Sequence, residues 1–215
     1  HRLRPLNIID AELNLVRREL ISRLLLWNAE IYGKIPPNNR RDRSGMMAHD
    51  AVILKYLSIS TCHMQRRNCA LTDCDAKSCY DRFLPHILSL CYSKLGLPAS
   101  TCRWLSRALV NMKYHIQTSH GVSQGISQSD KDGMVFGVGQ GATDAPTGWL
   151  FISAFLCHLY DSGANGSFLH DPQDLVQLAW SHVMFVDDAT LIHADQYCNT
   201  TRKKLKSMVQ KDVTA

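Results

Sequence analysis

No run of apolar residues in the sequence is long enough to cross a bilayer. The longest, Trp149 to Tyr160, has 12 residues and contains Ser153 and His158. A spanning helix needs about 20, so no membrane partner is expected. The opening His1-Arg2-Leu3-Arg4-Pro5 lacks the apolar core of a signal peptide. It also lacks an initiating Met, and the sequence is expected to be a piece of a longer chain. None of the eight cysteines forms a Cys-x-x-Cys pair, and Cys62, His63, Cys69 and Cys74 have the wrong spacing for the common structural zinc sites. The cysteines read as reduced, mostly buried thiols of an intracellular protein, cytoplasmic or nuclear. Internal repeats and low-complexity segments are absent too.

What is present is ordinary for a globular protein: 45% apolar and 20% charged residues in a chain of 215, enough for one or two domains. The net charge of +5 permits a nucleic-acid partner without requiring one. Basic residues cluster at Arg17-Arg18, Arg40-Arg41-Asp42-Arg43, Arg66-Arg67 and Arg202-Lys203-Lys204; each reads by itself as a solvated helix or loop face.

Asp10 caps a long helix running to about Tyr32, with Gly33 as its stop. Leu13, Leu20, Leu24, Trp27 and Ile31 form its apolar face. After the break at Pro36-Pro37-Asn38-Asn39, a second helix covers roughly Met46 to Ser60. Asn68 to Asp75 reads as a strand, and a helix follows from Tyr80 to Leu95 with Pro85 near its first turn. Pro98-Ala99-Ser100 opens a helix to about Met112. Lys113 to Ser119 reads as a strand, followed by a polar, Gly-rich loop through Gly141. Pro146 starts a helix that ends before the turn Asp161-Ser162-Gly163-Ala164-Asn165-Gly166. The last unit is a hairpin, in which the apolar runs His182–Val186 and Ala189–His193 are joined by Asp187-Asp188 as a two-residue turn. Helices first, then strands mixed with helices, suggest an α+β fold.

Two adjacent carboxylates at a hairpin tip repel unless something positive neutralises them. A hard divalent cation with oxygen ligands would do so, although Asp is also simply a good turn residue. A second carboxylate sharpens the choice. Asp75 ends a strand where a helix must begin, so it projects beyond the sheet edge and could converge with the hairpin tip. Three such carboxylates could hold two metal ions across an in-line phosphoryl displacement.

These segments together resemble a known family. Asp75 with Tyr80-Asp81 resembles motif A of the reverse transcriptases, and Phe185-Val186-Asp187-Asp188 resembles their motif C. Gly137-Val138-Gly139-Gln140-Gly141 with Ala145-Pro146 resembles motif B. Arg2-Leu3-Arg4-Pro5-Leu6 is similar to their Arg-Pro fingers motif, and Arg40-Arg41-Asp42-Arg43-Ser44 to a degraded Gly-x-Arg-Ser segment. The motifs fall in the family's order, and the style is closest to retroelement enzymes without long terminal repeats.

The resemblance implies a polymerase palm, a ferredoxin-like antiparallel sheet backed by helices, with a partial, mostly helical fingers subdomain. Residues 1–67 would be fingers and 68–215 palm, with 112–140 an insertion and the thumb absent. It implies an RNA-directed DNA polymerase of a retrotransposon, acting by two-metal-ion nucleotidyl transfer to a primer 3′-hydroxyl. Mg2+, or Mn2+ in its place, would be held by Asp75, Asp187, Asp188 and the Ala76 carbonyl. Tyr80 would exclude a ribose 2′-hydroxyl. The backbone N–H groups of Ser78 and Cys79, at a helix start, would face the triphosphate. Cys79 stands where the family usually has Ala. Gln140 and Gly141 would position the incoming nucleotide and template base, and Arg4 would contact the triphosphate. The partners implied are an RNA template, a DNA primer and deoxynucleoside triphosphates. A piece of this extent is expected to polymerise poorly alone.

Asp73 shares a strand face with Asp75, but only Asp75 has the aromatic at the required offset, so Asp73 receives no metal role. Asp81 reads as a favourable charge at a helix start. Gly137-x-Gly139-x-x-Ala142 fits a loose dinucleotide fingerprint with Asp161 about twenty residues on. That reading fails, since Asp161 ends a helical stretch and not a second strand. Two alternatives stay open: an RNA-dependent RNA polymerase, opposed by Val186, Gln140-Gly141 and Tyr80, and a non-catalytic nucleic-acid-binding relic of a retroelement, opposed by the three intact aspartates.

Overall fold

The structure is a computed structural model, and it describes residues 9–40, 43, 45–76, 79–82, 84–115, 117–127, 137, 141–162, 167–170, 177–186, 188–194, 206–207 and 209–210. The fold is α+β, as expected. By compactness the chain forms two units: one comprises His1–Lys34 with Ser78–Ile152, the other Ile35–Lys77 with Ser153–Ala215.

In the second unit, helix α3 (Ala48–Met64) precedes strand β1 (Cys69–Asp75). Asp50 starts α3, accepting from the Met47 N–H at 2.7 Å. The sheet has the order β1-β9-β8, with β8 at His182–Phe185 and β9 at Asp188–Ala194, antiparallel throughout. Cys69 pairs with Ala194, Leu71 with Ile192, Asp73 with Thr190 and Asp75 with Asp188. Residues opposite one another in an antiparallel ladder share a face, so alternate residues sort into two layers.

One face carries Leu71, Val183, Ile192 and Phe185, packed with Trp180 against Ala51 and Leu54 of α3. The Trp180 indole donates to Ser58, which satisfies its buried N–H. The other face carries His182, Met184 and His193, which meet the second half of helix α7 (Ala145–Asp161). Cys157 touches Met184, Tyr160 lies edge-on to both histidines, and Asp161 accepts from His182 and Ser181. The free edge of β8 is covered locally: Met184 N–H donates to the Asn38 carbonyl, and Arg40 N–H donates to the Met184 carbonyl, each at 3.0 Å. That pairing removes an exposed edge.

A two-stranded ribbon absent from the sequence reading, β6 (Ser167–His170) with β7 (Gln177–Trp180), leads into β8. The hairpin turn also differs from expectation. Phe185 pairs with Asp188, so Asp188 opens β9 and is not a turn residue. Val186 sits in the turn at φ +65°, the sign that a two-residue hairpin connection with primed twist requires at its first position.

The first unit begins with a helical rod: α1 (Ala11–Arg17), a π-helical stretch (Arg18–Leu25) and α2 (Leu26–Ile31). Asp10 caps it as expected, accepting from the Glu12 and Leu13 N–H groups, and Gly33 follows it at φ +60°. The buried face is not the expected one. Arg17, Ile21, Leu25 and Ala29 are buried, while Leu24, Trp27 and Ile31 are exposed. The wider π turn holds a spacing of four on one face, where an α-helix would let it drift.

The expected helix from Tyr80 to Leu95 is two helices, α4 (Cys79–Arg82) and α5 (Pro85–Lys94), because Pro85 supplies no N–H and starts a new helix. Helix α6 (Ala99–Val110) follows. The expected strand from Lys113 to Ser119 is a nested ribbon: β2 (Lys113–Tyr114) pairs with β5 (Ile126–Ser127), and β3 (Gln117–Thr118) with β4 (Gly121–Val122). Helix α7 opens at Ala145-Pro146. A Cβ at its Gly148 would lie 3.0 Å from Leu88 of α5 and 3.2 Å from the Tyr92 hydroxyl, so the two helices meet where only glycine fits.

Candidate metal site at the end of the sheet

Strand β1 runs out at Asp75, and β9 begins directly opposite it at Asp188. Partners in an antiparallel ladder have Cα atoms about 4.5–5.5 Å apart. The two carboxylates therefore share one face at one end of the sheet, and both residues are exposed. Nothing among the described residues bonds to either. Ala76 follows at the strand's end. Asp187 lies outside the described residues, as do Arg4, Ser78 and Gln140.

Among the described residues no group of three or more His, Cys, Asp or Glu is arranged to hold a metal. The described donor set is accordingly the pair Asp75 and Asp188, with the Ala76 backbone beside it. Two hard oxygen donors converging without a cationic partner fit a Mg2+-type ion. The ladder sets Asp75 opposite Asp188, the first residue of β9.

Asp73, two residues before Asp75, is engaged differently. Its Oδ1 accepts from Lys55 Nζ of α3 at 3.0 Å and from the Thr190 hydroxyl. The Thr190 hydrogen bond, then the Lys55 contact, holds its carboxyl below the usual carboxylate range. Lys55 and Thr190 were not legible as partners: 18 and 117 residues separate them from Asp73, beyond any local pattern.

The remaining candidate residues belong to the first unit. Cys79 is buried at the start of α4 and Tyr80 is half-buried behind it. Gly141 is exposed at φ +110°, a conformation that favours glycine. The loop after it is tied to the helical rod: Thr143 N–H donates to Asn14 Oδ1 at 3.0 Å, its hydroxyl donates to the Asn14 carbonyl at 2.8 Å, and Ser22 donates to the Thr143 carbonyl. Asp144 is buried against Arg17, with Oδ1 and Nη2 2.7 Å apart and side chains 2% and 3% exposed. The two atoms are close but lack hydrogen-bond alignment, so charge attraction carries the pair. The Tyr92 hydroxyl donates to Asp144 at 3.4 Å. Burial, then the Asp144 charge, raises that hydroxyl's pKa far above its ordinary value. Arg17 is thus a core residue and not a solvated one, and Arg67 is also buried.

No protein-family model and no curated protein matches the sequence. Among solved structures, telomerase from Candida albicans, determined in complex with a TWJ fragment of telomeric RNA, is similar to 94% of this chain. The TM-score is 0.53 and the identity 12%, and the chain spans 32% of that telomerase chain. The likeness is one of fold. No helix among the described residues is long and apolar enough to cross a membrane.

Proposed function

We propose that the chain is a fingers and palm portion of a reverse transcriptase, a retrotransposon polymerase that copies an RNA template into DNA inside the cell. The observation that carries this reading is the register of β1 on β9, which sets Asp75 against Asp188 on one sheet face. The ordered motifs and the telomerase-like fold support it independently.

In this reading Asp75, Asp187, Asp188 and the Ala76 carbonyl hold two Mg2+ ions, with Mn2+ as a substitute. When bound, the ions neutralise the facing carboxylates and stabilise charge on the reacting phosphate and the primer hydroxyl. The chain's own task is positioning, because phosphoryl transfer asks little covalent chemistry of the protein. Tyr80 lies under the sugar and excludes a 2′-hydroxyl. Backbone N–H groups of Ser78 and Cys79 bind the triphosphate, and Arg4 pairs with it through its guanidinium. Gln140 and Gly141 seat the nucleotide against the template base. Asp73 is engaged by Lys55 and Thr190 and has no metal role in this reading.

Primer extension on an RNA template, run with a version of the chain extended through a thumb, tests this reading. The expected result is a DNA product that requires Mg2+, uses deoxynucleotides in preference to ribonucleotides, and vanishes in Asp75→Asn. A product that is RNA, or that survives Asp75→Asn, overturns it.

A further inference from the structure

Between Asp81 and Asp130 the chain contains no Asp or Glu across 48 residues, yet it holds Arg82, Lys94, Arg103, Arg107 and Lys113. At the chain's overall frequency, 19 acids in 215 residues, such a stretch would hold about four. All five basic residues are exposed, so the charges this segment presents to solvent are of one sign, where mixed signs are usual. The segment lies wholly in the first unit, and it comprises α5, α6 and the nested ribbon.

Two of its features favour a polyanion of a particular kind. The first is helix α6. Cys102, Leu105 and Leu109 are buried, which leaves Arg103, Trp104 and Arg107 exposed. Spacings of three and four residues set Arg107 beside both Trp104 and Arg103. Trp104 is 46% exposed, which leaves part of its indole open to stack on a planar group. Arg103 Nε donates to the Ala99 carbonyl at 3.3 Å, which holds its stem along the helix.

The second feature is the ribbon. Only Asn111 and Met112 separate α6 from β2. Lys113, His115, Gln117, Thr118, His120, Gly121 and Val122 are all exposed. A two-stranded ribbon gains stability by burying a face, and no described residue of β3 or β4 is buried.

We propose that α6 and the ribbon form a binding surface for single-stranded nucleic acid, with Arg103, Arg107 and Lys113 on the phosphates and Trp104 stacked on an unpaired base. Stacking needs a base that is not already paired within a duplex, and it tolerates any sequence. This surface does not depend on the acidic pair of the second unit, so the proposal stands or falls apart from the polymerase reading.

The test is fluorescence anisotropy of the full 215-residue chain with a labelled 20-nucleotide RNA strand of mixed sequence, at two salt concentrations. The Arg103→Glu/Arg107→Glu double variant should weaken binding about tenfold or more and reduce the salt slope by roughly 1.4. Trp104→Ala should weaken it about tenfold and Trp104→Phe by no more than about threefold. The Arg103→Lys/Arg107→Lys variant should retain binding, which keeps a folding defect from passing as support. Arg18→Glu, an exposed charge reversal on the helical rod, should have little effect. The proposal is overturned if Arg18→Glu is as damaging as the α6 double reversal or if Trp104→Ala is silent. It is equally overturned if a duplex or polyglutamate competes as well as the single strand.

Discussion

The two units treat their carboxylates in opposite ways. In the first, Asp144 is buried with Arg17 at 2.7 Å and Tyr92 above it. In the second, Asp75 and Asp188 face each other at the exposed end of a sheet, and no described cation lies on either. A buried charge must be paired, because removing it from water costs several kcal/mol. Two exposed like charges set opposite one another cost less, and no described residue offsets that cost. Asp144 is therefore a scaffold residue, whereas the Asp75–Asp188 pair has no described partner and is the pair to which the proposed function assigns a cation. Asp73 sits between these extremes, exposed yet bonded to Lys55 and Thr190.

The largest expected effect falls on activity. Asp75→Asn and Asp188→Asn should each lower polymerisation about a thousandfold or more, the equivalent of several kcal/mol of lost charge stabilisation. Their melting temperatures should stay level or rise slightly, because a repulsion is relieved. A large drop in stability would place these residues with Asp144 and dissolve the comparison.

The converse substitution is Arg17→Met, which strands the buried Asp144 and should cost about 3–5 kcal/mol in denaturant unfolding. Arg17→Met with Asp144→Leu should recover most of that. If the single variant unfolds no more easily than the wild type, the pair is not the scaffold described.

Part of the strand pairing was legible because it rests on short-range rules. The two apolar runs about the paired aspartates predicted the hairpin that β8 and β9 form, and Asp10, Gly33 and Pro146 marked helix ends through their own backbone preferences. The Arg17 face was illegible for a physical reason: its partner Asp144 lies 127 residues away, and the π-helical stretch alters the period that a pattern of Leu24, Trp27 and Ile31 assumes. The β6–β7 ribbon escaped because each strand is only four residues long. The turn was misassigned by one residue, since Val186 occupies a left-handed conformation that Asp or Asn would adopt more readily.

That conformation gives a smaller effect. Holding a β-branched residue at φ +65° costs roughly 1–2 kcal/mol, so Val186→Asn should stabilise the chain by about 1 kcal/mol in urea unfolding. No gain would mean that Val186 packing offsets its strain.

The smallest effect concerns Asp73. Its folded pKa is lowered, so its contribution to stability is present above the ordinary carboxylate range and is lost as pH falls through the lowered value. Thr190→Val, which removes the principal cause, should flatten the acid limb of a stability–pH curve measured by thermal melting. An unchanged limb would show that the Thr190 bond does not distinguish Asp73 from its exposed neighbours.

In the proposed function, Asp75 and Asp188, opposite one another in the ladder, share a divalent cation. Titrating Mn2+ into the chain and following free ion by electron paramagnetic resonance tests it without requiring turnover. The account predicts saturable binding that Mg2+ displaces and that Asp75→Asn and Asp188→Asn each abolish, with Asp81→Asn leaving it intact. Binding unchanged in both site variants, or absent from the wild type at millimolar Mn2+, would contradict it.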